Sequence, residues 1–355
     1  MPYDLFEREA IERLADLVEQ PLHQPEGLDQ WAGAGEPDAF LVAGETAFVL
    51  ECRTATYTAA LHHAIRGLKA RVSEMHERAS WNAIIPVLAV PFMGPSGRRL
   101  CSDEDCSWLD LSGNAYIRAP RILVRIEGNA NRFKRRGRPP SAFARVASRV
   151  ARELLMSPGI DLSQRQLARR IDMDEGYVSR IVRNLADQGL VAKYGNLIQV
   201  PDYDLLLRAW LDEYDFSKHR RIAGHISARD GDELIRGLAR ALGDQPHTPP
   251  YAATGLAAAW CLGRFAGFRI ASLYIHNAGA LRSLSDLSFR PTDRGANVWL
   301  LVPDDSGVFQ GVKVRDGVHC VSPVQAYLDL HAHPERAKEV AGEVKSTYLQ
   351  WGDTP

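Results

Sequence analysis

The sequence predicts a mixed α/β chain of several domains, and three observations carry that expectation. At 355 residues the chain is too long for one ordinary core. Strand-length apolar runs and segments of helical period follow one another on both sides of the middle. The middle itself, residues 131–200, is set apart by charge. It holds fourteen Lys/Arg against six Asp/Glu, a balance of +8, in a chain whose formal net charge is −1. Charge gathered in one segment is the electrostatic footprint of polyanion binding.

Composition narrows the class. With 45% hydrophobic and 25% charged residues the chain is globular, not disordered. No apolar run approaches the roughly 18 residues of a membrane helix, so no membrane partner is expected and a cytoplasmic location is. The five cysteines, 52, 101, 106, 261 and 320, form an odd and scattered set. That argues against a disulfide framework. Cys101 and Cys106 lack the second Cys/His pair that a zinc site needs.

In the N-terminal part, 1–130, Ile11, Leu14, Ala15 and Val18 mark one side of a helix over 4–20. Pro37-Asp38 opens a strand over 39–43, and a second strand, 46–52, ends in Glu51-Cys52-Arg53. A helix over 59–78 and a buried strand over 84–90 follow. A polar loop then precedes two strands, 108–117 and 122–126. Within the first of them, Asp110-Leu111-Ser112-Gly113-Asn114 has the Gly-Asn pair of a turn or bulge.

Residues 131–140 form a basic lead-in to the middle: Arg132, Lys134, Arg135, Arg136 and Arg138, closed by Pro139-Pro140. Two readings stay open. In one, the segment is an interdomain linker whose charges touch phosphates. In the other, Arg136-Gly137-Arg138-Pro139 resembles the core of an AT-hook, an extended chain that lays arginines along a narrow A·T minor groove. Both add to DNA affinity.

Residues 141–200 read as a complete winged helix-turn-helix. Phe143, Val146, Val150 and Leu154 give helical spacing over 142–156, and Ser157-Pro158-Gly159 ends it. Ser163 with Gln166 has the capping-box pattern and starts a short helix with Leu167, Ala168 and Ile171 inward. Asp172 or Asp174 caps the next helix, which buries Val178, Ile181, Val182 and Leu185. Its other face carries Tyr177, Ser179, Arg180, Arg183 and Asn184. Short polar groups suit base edges, and arginines suit guanine or phosphate, so this is the expected recognition helix. Gly189 is a C-cap, and 191–200 turns at Gly195-Asn196 as the wing. The expected DNA contacts are Tyr177, Ser179, Arg180 and Arg183 in the major groove and Gln164 and Arg165 on the backbone. Lys193 and Asn196 reach the flanking groove from the wing, and Arg135, Arg136 and Arg138 act from the linker.

The C-terminal part, 205–355, predicts a helix over 230–242 and a small-residue helix start over 251–260. Strands are expected over 272–276, 298–302 and 311–315, and helices over 324–331 and 337–351. Asp304-Asp305 lie in a Pro-Asp-Asp-Ser-Gly context that reads as a turn.

Several of these segments resemble known families. LSQRQLARRIDMDEGYVSRIVRNLADQGLV resembles the winged helix-turn-helix of bacterial transcription regulators. WLDLSGNAYI, YAATGLAAAW, GANVWLLVPDD and VSPVQAYLDL resemble stretches of AbiEi-type antitoxins, the regulatory halves of type IV toxin–antitoxin systems. That resemblance spans most of the chain. It implies a sequence-specific regulator of double-stranded DNA that represses its own operon, with a cognate toxin as a further partner; winged-helix regulators commonly bind palindromes as dimers, so a homodimer is expected. It also implies three domains around the linker at 131–140: 1–130, 141–200 and 205–355. Thr254-Gly255 resembles a degenerate nucleotidyltransferase helix start, but the strand after it offers Ser272, Tyr274 and His276 where such an enzyme needs carboxylates.

The element order of 1–130, with Pro37-Asp38 and Glu51-Cys52-Arg53, resembles the restriction-endonuclease-like PD-(D/E)xK fold. The resemblance implies an Asp38/Glu51 pair that would hold Mg²⁺ beside a catalytic lysine. Arg53 stands in the lysine's place, and arginine neither loses its proton nor matches lysine in shape. The expectation is therefore an inactive relative that needs no cofactor. The alternative is a Mg²⁺-dependent DNA nuclease using Asp38, Glu51 and Arg53, with the winged helix as its targeting device.

Overall fold

The N-terminal apolar runs assemble into one six-stranded sheet. The computed structural model describes residues 3–25, 37–78, 81–133, 141–243, 251–333 and 337–351. They divide into two units, Met1–Pro139 and Pro140–Pro355. In the first, the elements are α1 (Tyr3–Val18), β1 (Ala39–Ala43), β2 (Thr46–Cys52), α2 (Thr58–Arg78), β3 (Ala83–Val90), α3 (Pro95–Asp103), β4 (Ser107–Asp110), β5 (Ala115–Ala119) and β6 (Ile122–Ile126). The strands lie in sequence order, with β2–β3 and β3–β4 parallel and the other pairs antiparallel. Strands β1 and β2 are buried on both faces, as expected of strands covered by helices on each side. The period-2 alternation divides them: Phe40, Val42 and Val49 pack with Leu61, Ile65 and Leu68 of α2. Leu41, Phe48 and Leu50 pack with Phe6, Ala10 and Leu14 of α1.

One element of this unit was not expected from the sequence, and one strand is divided at its expected turn. Residues 95–103, expected as loop, form α3, with Pro95 in its first turn and only Gly97, Leu100 and Cys101 buried. Gly97 is needed because a Cβ there would overlap Met93 and Leu61, so close packing hides behind a loop-like composition. The segment expected as one strand over 108–117 is two strands, β4 and β5, and the turn expected at Asp110–Asn114 joins them. Asp110 accepts the N–H groups of Asn114 (2.8 Å) and Met93 (3.0 Å), Asn114 Oδ1 accepts the Asn129 N–H (2.9 Å), and Gly113 has φ +105°. These two polar residues are buried and satisfied, and they hold the turn.

The second unit begins with a 3-10 turn (Arg145–Ala147), α4 (Ser148–Met156), β7 (Leu162–Ser163), α5 (Gln164–Arg170), α6 (Glu175–Asp187), β8 (Ala192–Tyr194) and β9 (Leu197–Gln199). The three strands form a small antiparallel sheet in the order β7-β9-β8. Three helices closed by this hairpin are a winged helix-turn-helix.

Downstream lie α7 (Tyr203–Glu213), β10 (Arg220–His225), α8 (Gly231–Leu242), β11 (Tyr251–Thr254), α9 (Gly255–Gly263) and β12 (Ala271–Ile275). They continue with β13 (Arg290–Pro291), β14 (Val298–Val302), β15 (Lys313–Arg315), β16 (Val318–Cys320), α10 (Pro323–Ala332) and α11 (Ala337–Tyr348). Seven strands form a mixed sheet, β13-β10-β14-β12-β11-β16-β15. The segment expected as a helix start at 251 is first a fully buried strand, β11, which turns into α9 at Gly255 with φ +56°. Its alanines are small because β11 sits inside the sheet and α9 passes close to His333, 3.0 Å from where a Gly255 Cβ would stand.

Candidate nucleic-acid interface

The helix expected to read DNA, α6, is built by local rules. Ser163 and Gln166 form the full capping box on α5, and the Met173 N–H returns to the Ala168 carbonyl at 2.9 Å in the turn. Asp174, not Asp172, caps α6, its Oδ1 accepting the Tyr177 N–H at 2.9 Å. Asp172 stands in the turn with φ +50°. Val178, Ile181, Val182 and Leu185 are buried, which fixes the opposite face of α6 outward.

On that outward side Arg180 and Arg183 are exposed, and Tyr177, Ser179 and Asn184 are half-buried. The Arg180 guanidinium lies 5.4 Å from the Tyr177 ring centroid, which orients it without neutralising it. Asn184 accepts from Gln188 Nε2 at 2.7 Å. The pairing Ser163↔Leu197 ties the N-cap of α5 to the wing, which places exposed Arg165 and half-buried Gln164 at the start of α5. Gly195, φ +61°, makes the wing turn, and Lys193 and Asn196 beside it are exposed. Arg135, Arg136 and Arg138 lie outside the described residues.

Two exposed side chains join this group without having been singled out in the sequence. Arg169 lies four residues after Arg165, one helical turn along α5, so the spacing was there to find. Tyr194, 63% exposed at the wing turn, sits where a side chain with no core to fill is unusual. Its only sequence signal is its place next to Gly195.

The N-terminal unit brings Asp38, Glu51 and Arg53 together, but as ion pairs. The Cys52 N–H donates to Asp38 Oδ2 at 2.6 Å, and Arg53 Nη1 lies 3.6 Å from the same oxygen. Glu51 is buried; Arg53 donates to its Oε1 and Arg71, from α2, to its Oε2. Guanidinium groups hold both Glu51 oxygens, so a Mg²⁺ ion would have to displace one of them to reach this carboxylate. Among the described residues no group of three or more His, Cys, Asp or Glu gathers for a metal.

Arg145 in the 3-10 turn and Arg149 and Arg152 on α4 reach the turn after β14 and helix α10. Arg149 binds Asp305 through two nitrogens, at 2.8 and 2.7 Å, and Arg145 Nε lies 3.2 Å from Asp304. Burial raises the Asp305 carboxyl, but the Arg149 and Gly307 hydrogen bonds outweigh it and the pKa ends lowered. Asp305 also caps a 3-10 turn over Ser306–Phe309, so the Asp-Asp pair is a turn. Arg152, 2% exposed, donates to Gln325, which donates to Asp329 Oδ1 at 2.9 Å. Asp329 further accepts from Thr254, Tyr214 and Tyr274. Burial is the main cause that holds the Tyr214 and Tyr274 hydroxyls well above the ordinary tyrosine range and lowers the Arg152 and His219 pKa values.

Residues 143–196 match the model of the MarR family, a span that runs from before α4 to the wing turn. No curated protein and no solved structure matches the chain. No described helix is long and apolar enough to cross a membrane.

Proposed function

We propose that this protein is a sequence-specific, double-stranded DNA-binding transcriptional regulator of the AbiEi-like antitoxin type. The observation that carries the reading is the outward face of α6: Arg180 and Arg183 exposed with no ion-pair partner among the described residues, on a helix capped and buried as a recognition helix is. The match of 143–196 to the MarR family supports a DNA-binding regulator.

In this reading Arg180, Arg183, Ser179 and Tyr177 meet base edges in the major groove, and Gln164 and Arg165 meet phosphates. Lys193 and Asn196 reach the flanking groove, and Arg135, Arg136 and Arg138 track the adjacent DNA. A homodimer would place two such helices on a palindrome with half-sites roughly one turn, or a multiple, apart. The proposed domains are 1–130, of endonuclease-like plan without nuclease activity; 141–200, the DNA grip; and 205–355, a surface for a cognate toxin. Guanidinium groups on both Glu51 oxygens support the inactive reading.

Selection from a random duplex library with the full chain tests the proposal. An enriched palindromic motif, bound with a steep inverse dependence on salt, is the expected outcome. Recovery of unenriched sequence would overturn it.

A further inference from the structure

The odd, scattered cysteines make no disulfide framework, yet two of them meet in the C-terminal sheet domain. Cys261 lies in the last turn of α9, and Cys320 ends β16. Helix α9 packs against β16. Cys261 stands one helical turn after Ala257, and both face the apolar cluster that holds Cys320 and Val318. Cys320 is opposite Ala253 in β11, the strand that runs directly into α9, and the Val321 N–H donates to the Ala253 carbonyl at 3.0 Å. Register and helix packing together bring the two sulfurs within hydrogen-bonding reach of each other.

Exposure separates the pair. Cys261 is half-buried, whereas the other four cysteines are buried. The charged groups facing Cys261 are Arg264, which follows α9, and Asp316 and Asp232, to which Arg264 is paired at 2.7 and 3.2 Å. The contact with Cys320 lowers the Cys261 thiol, burial raises it, Arg264 lowers it and the two aspartates raise it; the balance is a lowered pKa. The same contact and burial push Cys320 up.

A partly open thiol with a second thiol buried beside it has the two parts of a dithiol that closes on oxidation. Cys101 and Cys106 also meet, but both are buried in the N-terminal core, 0% and 2% exposed, and neither is open to an oxidant.

We propose that Cys261 and Cys320 form a reversible disulfide when the protein meets a hydroperoxide, with Cys261 as the attacking thiol and Cys320 as the resolving one. The Cys261 thiolate attacks one peroxide oxygen, so an S–O bond forms, the O–O bond breaks, and the other oxygen leaves and takes up the thiol proton. Cys320 then attacks the Cys261 sulfenic sulfur. The S–S bond forms, the S–O bond breaks, and hydroxide leaves as water with the Cys320 proton. Two electrons pass from the two thiols to the peroxide, and a dithiol reductant reverses the bond. Neither residue belongs to the winged helix, so this chemistry is independent of DNA binding.

The folded, fully reduced chain is treated with hydrogen peroxide, quenched with iodoacetamide, unfolded, and mapped by peptide mass spectrometry. Loss of two of the five thiols, a linked Cys261–Cys320 peptide, and recovery of both thiols with dithiothreitol are expected. Cys261 should react at least about tenfold faster than any of the buried cysteines outside the pair. Cys320→Ser should form no disulfide and leave a Cys261 sulfenic acid that dimedone captures. Cys261→Ser, at the half-buried position, should keep all its remaining thiols, and it serves should the Cys320 variant fail to fold. A parent chain that keeps all five thiols, a bond between any other pair, or Cys261 oxidised to sulfinic acid without a bond to Cys320 would overturn the proposal.

Discussion

Arg149 on α4 grips Asp305 through both ends of its carboxylate, Nε–Oδ1 at 2.8 Å and Nη2–Oδ2 at 2.7 Å. The two residues are 156 positions apart in the chain, and the pair joins the first helix of the winged module to the turn after β14. Both side chains are largely shielded, 20% and 12% exposed, so the pair is neither a screened surface contact nor a fully desolvated one.

Arg149→Ala should therefore destabilise the chain by about 1–3 kcal/mol. Asp305→Ala should cost a similar amount, because it also removes the cap on Gly307. A double-mutant cycle by urea unfolding should give a coupling of about 1–2 kcal/mol. Additive single effects would show that the pair contributes no more than its separate parts.

Glu51 holds two arginines, Arg53 and Arg71, in a buried place. Glu51→Ala removes the acceptor the two arginines share, while both stay partly open to solvent and Arg53 keeps Asp38, and it should cost about 1–3 kcal/mol of stability. The parent's melting temperature should not respond to Mg²⁺ beyond the effect of ionic strength. A Mg²⁺-specific rise that Glu51→Ala abolishes would mean the guanidinium groups yield to a metal.

His333 carries the pH prediction. Its ring is buried beside Ser272 and Trp299, and burial pushes its pKa from 6.5 down to about 4. The unfolded chain binds the proton more tightly than the folded one. Stability is thus fully present above about pH 6.5 and is lost as pH falls through about 4. The loss attributable to this group is about 3 kcal/mol at its limit. Unfolding of His333→Gln, followed from pH 7 to 4, should show a shallower decline than the parent. Parallel curves would refute the assignment.

The parts of this molecule that were legible in the sequence are those decided within a few residues. The Ser163–Gln166 box, the burial of Val178, Ile181, Val182 and Leu185, and the wing turn at Gly195 all follow from local chemistry, and the structure holds each. What stayed hidden depends on partners far along the chain. Nothing near Arg152 signals Gln325, 173 residues on, and nothing near Glu51 signals Arg71 reaching it from α2. The missed helix at 95–103 and the strand at 251–254 are tertiary overrides of composition: Gly97 is demanded by Met93 and Leu61, and Ala252 and Ala253 by the interior of a sheet.

In the proposed function α6 reads DNA through Arg180 and Arg183, and the most direct measurement of this is fluorescence anisotropy of a selected duplex titrated with the parent chain and with Arg180→Ala/Arg183→Ala. Both arginines are exposed and outside the core, so the double variant should melt within about 0.5 kcal/mol of the parent. It should lose about 2–6 kcal/mol of binding free energy for the selected duplex while keeping weak, salt-sensitive binding to any DNA. Unchanged affinity and selectivity in the double variant would contradict the account.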